Sequence, residues 1–263
     1  MGESKIIVVA NQKGGVGKST LCMLLANYLS KYAGVDIGAI IDTDAQCSVN
    51  EKRKEDLEII KGNDLKIRYK VHTLPLSEHG KINDLVKQLR DCGKSFIIDT
   101  PGTLNNEGIL TFLTHADYIL CPFYYDDLSL SATTKFLIFR NNFKEKIKAG
   151  SGTVLSGQII LVPCRKTKNV GTKVEMELWG QIRSSFEKLY KISPEIPGCA
   201  ELRRSNTIDI SPGQFAASSD ALRYITEIIY SSVAEGSPAK ILEKVICIIK
   251  DYNQNIQTNQ STV

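Results

Sequence analysis

The sequence predicts an α/β protein built on a single doubly wound, mainly parallel β-sheet flanked by helices, and three observations predict it. Short apolar runs alternate with helical patterns through most of the 263 residues. Strands separated by helices mean crossover connections and a sheet covered on both faces. A glycine-rich loop joins the first apolar run to an apolar helix, and two later apolar runs end in aspartate. The carboxyl ends of strands are where open parallel sheets hold ligands.

Taken in order, KIIVVAN (5–11) is a buried strand and STLCMLLANYLSKY (19–32) an apolar helix. IGAIIDTDAQ (37–46) is a second strand ending in carboxylates, followed by a charged helical stretch near 49–61. LKIRYKVHTLP (65–75) is a more exposed strand, KINDLVKQLRDC (81–92) an amphipathic helix, and SFIIDTPG (95–102) another buried strand. ADYILCPF (116–123) and GQIILVPC (157–164) are strands, each followed by a helix, at 129–148 and 171–190. Helical patterns at 213–233 and 238–252 close the chain before a polar end. The organisation expected is one domain over 1–252 with a polar tail at 253–263, and flexible segments only at 148–157 and the last ten residues.

Composition narrows the class. Apolar content of 42% with 24% charged residues is globular. No apolar run reaches the roughly 18 to 20 residues that span a bilayer. The chain runs straight into its first strand, so no signal peptide is expected. Ile6 stands where an N-myristoylation motif needs Ser or Thr. The seven cysteines are dispersed without a C-x-x-C pair, as expected of reduced thiols in a cytoplasmic protein. A metal, if used, is then a hard ion held by oxygen. Charge is uneven: residues 135–204 carry 14 basic against 6 acidic side chains, whereas residues 1–130 carry 15 against 17. That asymmetry points to a polyanionic partner.

The chemistry sits at three strand ends. In NQKGGVGKST, residues 11 to 20, Gly14, Gly15 and Gly17 let backbone N–H groups turn inward as an anion nest, with the next helix adding its positive end. Lys18 reaches the β- and γ-phosphates and Ser19 ligates Mg²⁺. Gln12 occupies the place of the usual first glycine, with Lys13 beside it. Asp42 and Asp44, two residues apart at the second strand end, are expected to point the same way. Asp99, closing FIID, is placed to hold a magnesium-bound water. Thr100, Pro101 and Gly102 then form a turn able to follow the γ-phosphate.

KGGVGKST (13–20), DTDAQ (42–46) and FIIDTPG (96–102), with a weaker match at ELRRSNTIDISPGQ (201–214), resemble the ParA/MinD family of deviant Walker A ATPases among P-loop NTPases. The resemblance implies an ATP hydrolase, weak without a stimulating partner, that forms a face-to-face homodimer with ATP between protomers. It places the nucleotide against Lys13, Gly14, Gly15, Val16, Gly17, Lys18, Ser19 and Thr20. Lys13 reaches the nucleotide of the other protomer, Lys18 serves its own, and Asp44 orients the attacking water. Ser19, Asp42 and, through water, Asp99 stand on the magnesium side. Two departures are visible: Ala45 follows the second aspartate where relatives often have proline, and RKTKN (165–169) has no clean match, so adenine contacts stay unassigned.

Within that family the basic half-chain fits a DNA-cycling member. Lys135, Arg140, Lys144, Lys146 and Lys148, then Arg165, Lys166, Lys168, Arg203 and Arg204, line one candidate surface completed on dimerisation. Lys166, Lys168, Arg203 and Arg204 are the preferred contacts to DNA phosphates, in a mode that is sequence-independent and salt-sensitive. The expectation is a nucleoid-associated ATPase that partitions a plasmid or mobile element with a ParB-like partner. The alternative is a relative that positions a protein complex, such as a conjugation or division apparatus, at DNA or a membrane. A basic amphipathic C-terminal helix would favour the membrane, but the wide apolar stripe of 238–252 reads as packing on the sheet, so no stable membrane insertion is expected. A metabolic phosphotransferase has no evident use for Lys13.

Overall fold

Four consecutive apolar residues, all fully buried, form the central strand β1 (Ile6–Val9). In the computed structural model, which describes residues 4–61, 65–76, 79–103, 106–166 and 172–230, β1 pairs in parallel with β4 (Ser95–Asp99) on one side and β5 (Tyr118–Phe123) on the other. β2 (Ile37–Asp42) adds outside β4, and β3 (Lys70–Thr73) forms the far edge. On the other flank, β6 (Gln158–Lys166) pairs with β5 and carries two short strands, β7 (Lys191–Ile192) and β8 (Ile196–Pro197). The result is an eight-stranded sheet of order β3-β2-β4-β1-β5-β6-β7, with β8 on β6 and every pairing parallel.

The pleat divides each strand between two cores. Ile6 and Val8 join Ile98, Ile119 and Leu161 in a cluster with α3 (His79–Asp91), α4 (Glu107–His115) and α5 (Asp127–Ser151). The opposite face packs under α1 (Lys18–Lys31), whose Leu21, Leu24, Leu25 and Leu29 are buried. Against α1 lies α8 (Pro212–Tyr230), with Phe215 stacked on Tyr28 at a centroid distance of 6.1 Å. Beyond β2 comes α2 (Ser48–Ile59); α6 (Lys173–Glu187) packs by β7, and the single turn α7 (Ala200–Arg203) follows β8.

The expected fold is present, with adjustments. The exposed strand is shorter than 65–75 because only β2 is available to pair with it. The segment 148–157 is in part helical: α5 runs through Ser151 and ends where Gly152 adopts φ 71°. Arg140, expected on a basic surface, is only 2% exposed, because α5 turns that position onto the sheet beside Gly157. The helical pattern 238–252 and the tail 253–263 lie outside the described residues, as do Lys168 and the side chains of Arg165 and Lys166. Among the described residues, no helix is long and apolar enough to cross a membrane.

Candidate functional site

Strand register assembles the site. Val9 and Asp42 each pair with Asp99, so β1, β2 and β4 all end at one level. The loop leaving β1 enters α1 through Gly17, whose φ of 93° is a left-handed conformation that a side chain would strain. Gly15, at φ 73°, is in the same region. α1 therefore presents its first-turn N–H groups and positive dipole end to the space above the strands. The turn after β4 closes over this loop: a Cβ on Gly102 would stand 3.2 Å from the Gly14 nitrogen.

Within this frame, the Ser19 hydroxyl donates to Asp99 Oδ2 at 2.6 Å. The other oxygen, Asp99 Oδ1, is buried without a hydrogen-bond partner. Burial pushes the Asp99 carboxyl up to about 7, against the Ser19 hydrogen bond and the Lys18 charge. Lys18 is itself buried, and its ammonium donates to the Lys13 carbonyl at 3.0 Å. Desolvation lowers its pKa, opposed by the charges of Asp99 and Asp44.

Lys13 has other neighbours. It lines an outward hollow with Gln12, Gly102, Thr103, Leu128 and Lys135. The two lysines of one loop thus occupy separate surroundings.

Asp42 and Asp44 do not share the extended strand end expected of them. β2 stops at Asp42, and the chain then turns rather than continuing extended. Asp42 Oδ2 accepts from the Val49 and Asn50 amides at 2.9 and 3.1 Å, and Oδ1 from the Asp44 amide at 3.2 Å. Its carboxylate thereby caps the amino end of α2, where Cys47 supplies no side-chain cap. Desolvation raises its pKa and the backbone amides hold it down. Asp44 is half-buried, with Oδ1 accepting from the Gln46 amide at 3.0 Å.

Beside the loop opens a cavity of about 180 Å³. Val16, Gly17, Thr20, Leu21 and Leu24 form one wall, and Cys164, Ile196, Pro197, Gly198, Cys199 and Leu202 the other. Sequence reasoning missed the second wall, because the two-residue strand β8 that brings 196–199 to the end of β6 leaves no periodic signal. Arg203 also lines this cavity, whereas Arg204 does not; both are exposed. Among the described residues no group of three or more His, Cys, Asp or Glu forms a metal cage. A metal here would complete its coordination with ligand oxygens and water.

Comparisons with known proteins agree with this architecture. Cyanothece McdA in complex with ATP superposes with a TM-score of 0.64 at 15% identity, over 87% of this chain and 97% of McdA. A putative plasmid partition protein from Borrelia burgdorferi, bound to AMPPNP, gives 0.62 at 21% identity, over 86% and 99%. The MinD cell division protein of Aquifex aeolicus gives 0.59 at 19%, over 85% and 97%. No curated protein matches the sequence. The family pattern described as the CobQ/CobB/MinD/ParA nucleotide binding domain matches residues 7–261. That match spans all three strand-end segments, and the chain belongs to the CobQ/CobB/MinD/ParA family of nucleotide-binding domains.

Proposed function

We propose that the chain is a ParA-like ATPase that forms an ATP-sandwich dimer, binds DNA non-specifically and hydrolyses ATP slowly to partition a plasmid or mobile element. The observation that carries this reading is the separation of the two lysines. Lys18 is buried and directed back along its own loop, while Lys13 lines a hollow open to the outside. A cation supplied in trans to the transferred phosphoryl group serves as an arginine finger does.

The phosphates lie on the N–H groups from Gly14 to Thr20, with Lys18 leaving the Lys13 carbonyl for a phosphate oxygen. The adenine enters the cavity beside α1, between Leu21 and Pro197. Asp99 fits a place on the magnesium side, since its Oδ1 has no protein partner and Ser19 is already within 2.6 Å of Oδ2. Magnesium, when bound, neutralises charge on the β- and γ-phosphates. Asp42, paired with Asp99 on the neighbouring strand and held by three backbone amides, is the other carboxylate on the magnesium side. Asp44, in the turn that Asp42 holds, orients the attacking water. Partner stimulation, by a ParB-like or other protein, acts on this slow step.

Exposed Arg203 and Arg204, with Lys166 and Lys168, are the proposed DNA contacts. The plasmid-partition neighbour supports this branch, and the MinD neighbour suits the alternative of positioning a protein complex at a surface. The test is duplex binding by an Asp44→Ala variant. Binding with ATP that weakens steeply with salt and disappears with ADP is expected. Liposome binding without DNA binding would replace partition by the membrane-positioned alternative.

A further inference from the structure

A second cavity, of about 500 Å³, opens at the other end of β6. Its walls include Gln158, the first residue of β6, whereas Cys164, six residues on, lines the nucleotide cavity. At the rise of an extended strand the two cavities are about 20 Å apart. The lining carries Arg140 and Lys144 from α5, with Lys188 and Lys191 beyond α6. Glu187 is the one carboxylate among the lining residues, and its Oε1 already accepts from Arg183 Nε at 2.8 Å.

Arg140 is the unusual member. It is 2% exposed, yet its Nε and Nη2 have no hydrogen-bond partner. Burial depresses its pKa with no neighbouring charge to offset it. Buried guanidinium groups are ordinarily paired. Nε and Nη2 form the side-on edge of the guanidinium, whose two parallel N–H groups match two oxygens of an oxyanion. Gly157, itself in the lining, adjoins that edge: a Cβ there would stand 3.5 Å from Nη2.

We infer that this cavity binds a small phosphate-bearing anion, received by the side-on edge of Arg140 with Lys144 and Lys191 completing the charge at its mouth. Its size lies within the range of small-molecule sites. A duplex backbone presents its phosphates on a convex surface and does not reach a guanidinium so deeply recessed, so the site is separate from the proposed DNA contacts. The ligand is free phosphate or a small phosphate ester.

Calorimetric titration of inorganic phosphate, and separately of glycerol 3-phosphate, into the full chain and its variants tests this. Arg140→Met is expected to weaken binding about tenfold or more, and Lys18→Ala, which disables the nucleotide loop, to leave it in place. Tighter binding of the ester identifies an ester ligand, and equal binding identifies free phosphate. In phosphate-free buffer Arg140→Met should melt no lower than the wild type, and phosphate should raise the melting temperatures of the wild type and of Lys18→Ala more than that of Arg140→Met. Should Arg140→Met fail to fold, the surface pair Lys144→Gln/Lys191→Gln decides, with a loss of about tenfold expected. Binding abolished by Lys18→Ala, unchanged by the Arg140 or paired-lysine variants, or displaced by a short DNA duplex would overturn the proposal.

Discussion

The ammonium of Lys18 lies 3.0 Å from the carbonyl oxygen of Lys13, so one lysine of the loop rests on the backbone of the other. Lys13 itself lines a different hollow, shared with Thr103 and Lys135. Replacing each lysine should therefore have distinct consequences. Lys18→Ala removes a charge-assisted contact to phosphate and should weaken ATP binding about 10- to 100-fold. Lys13→Ala should keep ATP affinity within about threefold while hydrolysis falls on the order of 10³-fold. Equilibrium binding of a fluorescent ATP derivative, paired with phosphate-release kinetics, separates the two.

The cavity beside α1 predicts that base and phosphates are held by separable surfaces. Cys199 lines it without belonging to the phosphate loop. Cys199→Trp should occlude the roughly 180 Å³ space and lower ATP affinity about tenfold or more, while inorganic triphosphate binds as before. Competition titrations with ATP and triphosphate on the same variant supply both numbers.

Gly102 couples the turn after β4 to the phosphate loop. A methyl group there meets the Gly14 nitrogen at 3.2 Å, closer than ordinary contact, and pushes on backbone rather than on a mobile side chain. Gly102→Ala should reduce ATP affinity by about three- to tenfold with the fold retained, as a few tenths of an ångström of loop displacement would produce. Circular dichroism alongside nucleotide binding checks both halves.

Asp99 predicts a pH dependence. Its folded-state carboxyl titrates near about 7, above the ordinary carboxylate value. The folded protein therefore binds this proton more tightly than the unfolded chain. The penalty for burying the carboxylate is full above about pH 7, shrinks as pH falls and is gone below about 4. In nucleotide-free, magnesium-free protein, Asp99→Asn should melt at least ~2 °C higher than wild type at pH 8, with the gap closing by pH 4. A gap of constant size across that range would contradict the burial account.

Much of this site was legible in the sequence because it lies where periodicity changes. β1, β2, β4 and β5 are short apolar runs, and the glycines and aspartates that follow them interrupt the pattern abruptly. What was hidden depends on contacts distant along the chain. α4 escaped notice because Ile109, Leu110, Phe112 and Leu113 make a nearly continuous apolar run, which suits a short strand as well as a helix. Its start is set by the Asn106 side chain accepting from the Gly108 amide, a single polar cap. The second wall of the cavity beside α1 rests on β8, two residues long. That Asp42 caps α2 depends on amides seven and eight residues further along the chain, where Cys47 supplies no side-chain cap. Arg140 carries no sign of burial, since arginine on a long helix ordinarily faces water.

The central claim is that ATP joins two copies of this chain through Lys13. Sedimentation velocity of Asp44→Ala, in which slowed hydrolysis preserves the bound nucleotide, tests it most directly. The account predicts a dimer with ATP and magnesium, a monomer with ADP, and a monomer under both conditions once Lys13→Ala is added. A single species of unchanged mass with either nucleotide, or an ATP-dependent dimer that survives Lys13→Ala, would contradict it.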